Sequence, residues 1–253
     1  MPVLPLFRDA ATISAAPASP GRASTFSAQI VAEIRDALFE GRLKPGDFVG
    51  GEKEIAARAG VSRIVARDAL RTLEALGIVE IRMGAGGGAR VAQGNPGRFA
   101  EALAVQLTLA GAQVAEIMTA QRAIECLAAE LAASHAEAAD HARLRALIDE
   151  AAARLDDLDA FTRSSRDFHL AVAEASHNRV LVFQLVSLQH VSWPARNRSL
   201  TRELAGHILD VHRALAGAIA AGDAAAARAL MDDHVAMIRD RRLADAAARE
   251  ACC

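Results

Sequence analysis

From Phe26 to Leu38 the apolar positions Phe26, Ile30, Ile34, Ala37 and Leu38 recur at helical spacing, and Gly41, Pro45 and Gly46 then end the helix. A shorter helix fits Glu52 to Ala59. Gly60 follows as a turn residue, and Ser62 is placed to cap a third helix whose apolar stripe is Val65, Ala69, Leu73 and Leu76, closed by Gly77. The run Ile78 to Arg82 then changes to strand-like composition, Met83 to Ala89 is dense in glycine, and Arg90-Val91 can begin a returning strand. Helix, tight turn, helix and glycine-tipped hairpin make a winged helix-turn-helix.

Asn95-Pro96-Gly97 reads as a turn or linker. From Phe99 the spacing is helical almost to the end, broken mainly at Ser176-His177-Asn178, Trp193-Pro194 and Gly222-Asp223, with no strand and no internal repeat. The expected fold is mainly α: an N-terminal winged helix-turn-helix and a C-terminal all-α bundle. The boundaries expected are a disordered tail over 1–24, a DNA-binding domain over 25–93, a linker over 94–98, a helical domain over 99–245 and a tail over 246–253.

Composition narrows the class of protein. Apolar residues make up 52% of the 253, yet no run approaches the roughly 20 apolar residues that span a bilayer. The Pro- and Ala-rich start is not a convincing secretory segment. Three cysteines build neither a disulfide framework nor a metal knuckle, which fits a reducing cytoplasm. The net charge of −2 divides unevenly: residues 22–93 carry 11 basic against 9 acidic side chains, and 94–253 carry 17 against 21. Local placement of arginine therefore matters more than the total.

Arg63, Arg67 and Arg71 stand four residues apart on one face of the third helix, where guanidinium groups can pair with guanine or clamp phosphates. The same stripe also suits a merely solvated face with local ion pairs. The motifs around it are more specific. Gly41-Arg42-Leu43-Lys44-Pro45-Gly46-Asp47, Glu52-Lys53-Glu54-Ile55-Ala56, Gly60-Val61-Ser62-Arg63, Arg67-Asp68-Ala69-Leu70-Arg71 and Leu73 to Val79 together resemble the GntR family of winged-helix repressors. That resemblance implies a dimer on double-stranded operator DNA, with Arg63 and Arg67 reading bases and Lys53 adding a contact. Ser62 and Arg71 complete the expected DNA face, and Arg90 or Arg82 is the wing's candidate. Val49-Gly50-Gly51 stands where the family usually has Leu-Pro-Ser, and Ile64-Val65-Ala66 where it has Thr-Pro-Val.

In the helical part, His169, His212 and His234 fall on three separate helices, and three imidazoles meeting inside a bundle can hold a divalent metal. Taken singly, each also suits a structural histidine bonded to a carbonyl. Arg122 to Glu125, Asp167 to Leu170 with Ala175 to Asn178, and His212 through Asp223 to His234 resemble the FadR-type C-terminal (FCD) domain. That resemblance implies a small organic acid as effector, an Asp and three His around zinc or a similar ion, and Arg122 on the effector's carboxylate. Ser165 stands at the position of the family's Asp, so water or the effector would complete the ion's shell there; Ser165 joins Arg122 as an expected effector residue. His177, His190 and His207 are read as structural, and Trp193-Pro194 as a pocket wall or a helix break.

Two other classes share part of this pattern. A three-histidine site with an open position also serves hydrolases, but the chain has no His-Glu-x-x-His, no Gly-x-Ser-x-Gly and no phosphate loop, and Glu174 is not an obvious general base. An architectural DNA binder without effector is the third. The expectation is a regulator, most simply a repressor, and not an enzyme.

Overall fold

Local capping and packing explain why each element begins and ends where it does. The computed structural model describes residues 25–84, 87–192 and 200–250. These form two compact units, divided after Asn95.

In the first unit α1 (Phe26–Phe39), β1 (Phe48–Gly50), α2 (Glu52–Ala59), α3 (Arg63–Ala75), β2 (Val79–Arg82) and β3 (Gly88–Val91) follow in order. Gly60 takes the left-handed conformation at φ 64°, which a side chain resists, and so turns α2 sharply into α3. The Ser62 hydroxyl accepts from the Val65 amide at 3.3 Å and starts α3. One face of α3 buries Ala66, Ala69, Leu70 and Leu73 against Ile30, Ile34 and Ile55. Each large aliphatic side chain removed from water there contributes roughly 1.5–3 kcal/mol, so the arginines are left on the opposite face.

The wing is antiparallel, with Val79 opposite Val91 and Ile81 opposite Ala89. Its third strand, β1, adds to β3 to give the order β1-β3-β2. β1 was not foreseen from the sequence: it is three residues long and exists only through pairing with a strand some forty positions later. Gly88 permits that pairing, because a Cβ there would lie 2.8 Å from the Phe48 ring. Ala85 and Gly86, at the tip of the expected wing, lie outside the described residues.

The second unit holds α4 (Pro96–Leu109), α5 (Val114–His135), α6 (Ala138–Ala152), α7 (Leu158–Ala175), α8 (Arg179–Ser192), α9 (Arg202–Ala220) and α10 (Ala224–Glu250). α5 runs through the middle and packs against α7, α8, α9 and α10. Its core joins Cys126, Ala129, Phe161, Phe168, Leu209, Leu215 and Met231. No described helix is long and apolar enough to cross a membrane.

Two boundaries differ from the sequence expectation. Pro96 begins α4 rather than sitting in a linker reaching 98, since proline's fixed φ suits the first turn of a helix. α10 continues to Glu250, past the expected end at 245, because Ala246-Ala247-Ala248-Arg249-Glu250 are all strong helix formers. The helices also break near Gly111, Glu137 and Asp157, beyond the breaks that the sequence pattern predicts. Gly111 is left-handed at φ 69°, and the Asp140 and Asp157 carboxylates accept the Glu137 and Ala160 amides at 2.9 Å each. The expected tail over 1–24 and the Trp193-Pro194 break lie outside the described residues.

Candidate functional site

Lys53, Ser62, Arg63, Arg67, Arg71 and Arg90 are all exposed. Arg67 forms a two-pronged pair with Glu52, its Nε on Oε1 at 2.7 Å and its Nη2 on Oε2 at 2.8 Å. Glu52 opens α2, and hydrogen bonding from Arg67, reinforced by the fields of Arg67, Arg63 and Arg71, holds its carboxyl below the usual range. The pair occupies two of the five guanidinium N–H groups and leaves the far edge available to an acceptor outside the protein. Arg90 is steadied differently: Nη1 donates to the Gly46 carbonyl at 3.1 Å, and the guanidinium carbon lies 5.2 Å above the Phe48 ring centre. Val49 is buried, and Gly51 caps α2 without a side chain while Glu54 accepts its amide at 2.7 Å. The family's usual serine cap is thus replaced by a carboxylate reaching back from the first turn.

In the second unit α7, α9 and α10 bring His169, His212 and His234 together, all buried. Their ring centres form a triangle 5.1 Å on every side. His169 Nε2 and His234 Nε2 lie 3.2 Å apart. Tetrahedral zinc with Zn–N bonds of about 2.0–2.1 Å requires ligand nitrogens about 3.3–3.4 Å apart, so the spacing suits such an ion. His212 stacks on Phe168 with centroids 4.2 Å apart, and its Nε2 is buried with no hydrogen-bond partner. A buried nitrogen in that position is costly unless something takes its lone pair.

Protonation favours the same use. Burial, reinforced by the neighbouring imidazoles, pushes His212 well below its ordinary value and His234 down to about 3. Both are therefore neutral near pH 7, as metal ligands must be.

Glu125 on α5 is fully buried and hydrogen-bonds to His169 Nδ1, while its other oxygen accepts from Gln121 at 2.6 Å. Burial works to raise the Glu125 pKa, but the field and hydrogen bond of His169, with the Gln121 bond, prevail and hold it low. A carboxylate on the outer nitrogen of a histidine fixes the tautomer and aims the inner nitrogen. Breaking such a buried pair on one side typically costs about 3–5 kcal/mol.

The cavity beside these histidines has a volume of about 40 Å³ and is lined by Gln121, Glu125, Thr162, Ser165, His169, His234, Arg242 and apolar side chains. Ser165 sits one helical turn before His169 and is buried, while Asp167 points away and lies 3.5 Å from Arg166 at the surface. Arg122 is elsewhere: it pairs through Nε and Nη2 with Asp232, both at 2.6 Å, and does not line the cavity. His177 bonds to Asp140 at 2.9 Å, and His190 and His207 are exposed. Glu174 pairs with Arg143.

Glu125, Gln121 and Arg242 were missed from the sequence. The available signals were Gln121 and Glu125 one turn apart, and His234, Ile238 and Arg242 repeating every fourth residue, each set on one helix face.

A winged helix-turn-helix bearing exposed arginines, followed in the chain by a separate helical unit, defines a DNA-binding regulator. Residues 26–88 match the gntR family of bacterial regulatory proteins, and residues 116–237 match the FCD domain. The chain is 31% identical over 227 residues to the Uxu operon transcriptional regulator of Escherichia coli K12, covering 85% of this chain and 86% of that one. It is 28% identical over 213 residues to the HTH-type transcriptional regulator LutR of Bacillus subtilis 168, covering 79% and 93%. Among solved structures, Streptococcus agalactiae GntR superposes with a TM-score of 0.60 at 20% identity, covering 85% of this chain and 99% of that one. The chain belongs to the GntR family and carries an FCD domain: it is a DNA-binding transcriptional regulator, not an enzyme.

Proposed function

We propose that this regulator is a cytoplasmic, homodimeric repressor whose operator affinity is set by a small carboxylate bound beside a divalent ion on His169, His212 and His234. The observation that carries this reading is the convergence of three buried imidazoles, His169 aimed by Glu125, and His212 and His234 each with a buried nitrogen that has no hydrogen-bond partner. When bound, the ion supplies a positive centre that an acid's oxygen can join. Ser165 replaces a ligating carboxylate and leaves a coordination position open. On the DNA side Arg63 and Arg67 contact bases, with Lys53, Ser62, Arg71 and Arg90 along the backbone. The exposure of all six supports that face, and two copies related by a two-fold axis would present two recognition helices to one operator.

The test is elemental analysis of protein purified without chelator, alongside band shifts on DNA upstream of its own gene with and without small acids. About one divalent ion per chain, lost in His212→Ala, and acid-dependent release of DNA are expected. Full metal content in His212→Ala would overturn the ligand assignment. Acid-insensitive operator binding would favour an effector-free DNA binder.

A further inference from the structure

The buried face of α3 fixes which of its side chains look away from the protein. Ala66, Ala69, Leu70 and Leu73 are the buried residues of this helix, and at about 3.6 residues per turn the centre of their face lies about half a turn round the axis from Ile64. Ile64 therefore points straight out of the DNA-binding unit and is 76% exposed. The other large apolar side chains of α3, Val65, Leu70 and Leu73, are buried or half-buried.

The neighbours of Ile64 along this outward side are the arginines of the proposed DNA face. Arg63 precedes it in the first turn, Arg67 follows one turn later and Arg71 two turns later. Arg67 is steadied from α2 by its two bonds to Glu52, so the apolar side chain stands beside a guanidinium whose plane is set. Neither packing nor helix formation accounts for an isoleucine here. Ile64 lies outside the core of its unit, and a β-branched residue forms helix less readily than alanine, arginine or lysine. In a helix the branched side chain keeps mostly one χ1 rotamer, so its methyl groups are presented at a set place and lose little freedom on contact.

A recognition helix brings the residues near its N-terminus to base edges in the major groove. Those edges are donors and acceptors with one exception, the C5-methyl group of thymine. We infer that Ile64 is a specificity-determining residue that reads the C5-methyl group of a thymine in each operator half-site, beside the bases read by Arg63 and Arg67. The inference rests on the DNA face proposed above and adds to it a base preference with its chemical cause. Contact between the two apolar groups withdraws both from water. An amino group or ring nitrogen in the same place would lose its water and gain no hydrogen bond from isoleucine, which selects against the other bases.

The experiment begins with operator sites selected from randomised duplex by the full-length protein. Each thymine of the preferred site is then replaced in turn by deoxyuridine, which lacks the methyl group and keeps the hydrogen-bonding groups of the base. Fluorescence anisotropy at fixed salt compares wild type with Ile64→Ala, a change to the better helix former at an exposed position. Wild type is expected to lose affinity by about three- to tenfold at one thymine per half-site, the effect of one methyl group withdrawn from an apolar contact. Ile64→Ala should bind the thymine site about as weakly as wild type binds the deoxyuridine site, and should not distinguish the two. Wild type insensitive to deoxyuridine at every thymine, or Ile64→Ala as sensitive as wild type, would overturn the thymine contact and leave the DNA face standing. A selection that enriches no sequence would overturn both.

Discussion

Arg67 shows how a side chain can be both internally satisfied and available. Its pair with Glu52 at 2.7 and 2.8 Å is exposed, so it adds little to stability, and its more important effect is to fix the plane of the guanidinium. An arginine held in this way loses less side-chain freedom when it meets a guanine edge. Arg67→Ala is expected to weaken operator binding by about 1–3 kcal/mol while changing affinity for random duplex much less, measured by fluorescence anisotropy at fixed salt. An equal loss on both DNAs would reduce Arg67 to a phosphate contact. Cys126 illustrates the opposite case, a reactive group made inert. Burial, together with its hydrogen bond to Asp232, pushes its thiol up to about 12, and the thiolate is the nucleophilic form. Peptide mapping after iodoacetamide at pH 8 should find Cys126 unlabelled in the native protein and labelled after denaturation.

The recognition helix depends on what happens at its first turn. Ser62 supplies a side-chain acceptor at the N-cap, and Gly60 provides the left-handed turn that brings α3 across α2. Ser62→Ala is expected to destabilise the DNA-binding unit by about 0.5–2 kcal/mol, seen as a lower urea midpoint with an unchanged slope. A midpoint equal to wild type would mean that Ser62 acts only toward DNA. In the other unit, α5 is the element that turns three histidines into a site. It brings Glu125 beneath His169 and ties itself to α10 through Arg122–Asp232 and Arg228–Glu130. Those pairs are partly exposed, so their worth is chiefly in setting the register of α5 against α10.

Among the described residues each unit has its own main core, one of Ile30, Ile34, Ile55 and Leu73 and the other built around Phe161, Phe168 and Leu209, with a smaller cluster of Ala128, Ala173, Leu181 and Leu185 also in the helical unit. Acid should affect the helical one first. His212 and His234 have folded-state values below the unfolded 6.5, so below that pH the unfolded chain binds more protons than the native one. The stabilisation from keeping these imidazoles neutral is complete above pH 6.5 and declines as pH falls toward the value of about 3 for His234. In chelator-treated protein the thermal midpoint of the helical unit should therefore drop between pH 7.5 and 5.0, and His234→Gln should reduce the drop. A midpoint that is level across this range in wild type would contradict the burial of neutral imidazoles.

Much of this protein was decided by local sequence. Gly60, Ser62 and the spacing of apolar residues define α2 and α3, because caps, turns and helix periodicity act over a few residues and can be read along the chain. The three histidines were also legible, each at a helical position that its neighbours made distinctive. The tertiary structure decided what lies opposite what. β1 exists only by pairing with β3, Arg122 turns from the cavity to Asp232 on a helix 110 residues away, and Glu125 and Arg242 enter the site because α5 and α10 pack side by side. Partners chosen by packing between distant helices leave no periodic trace in either one, and so they become visible only when the chain is folded.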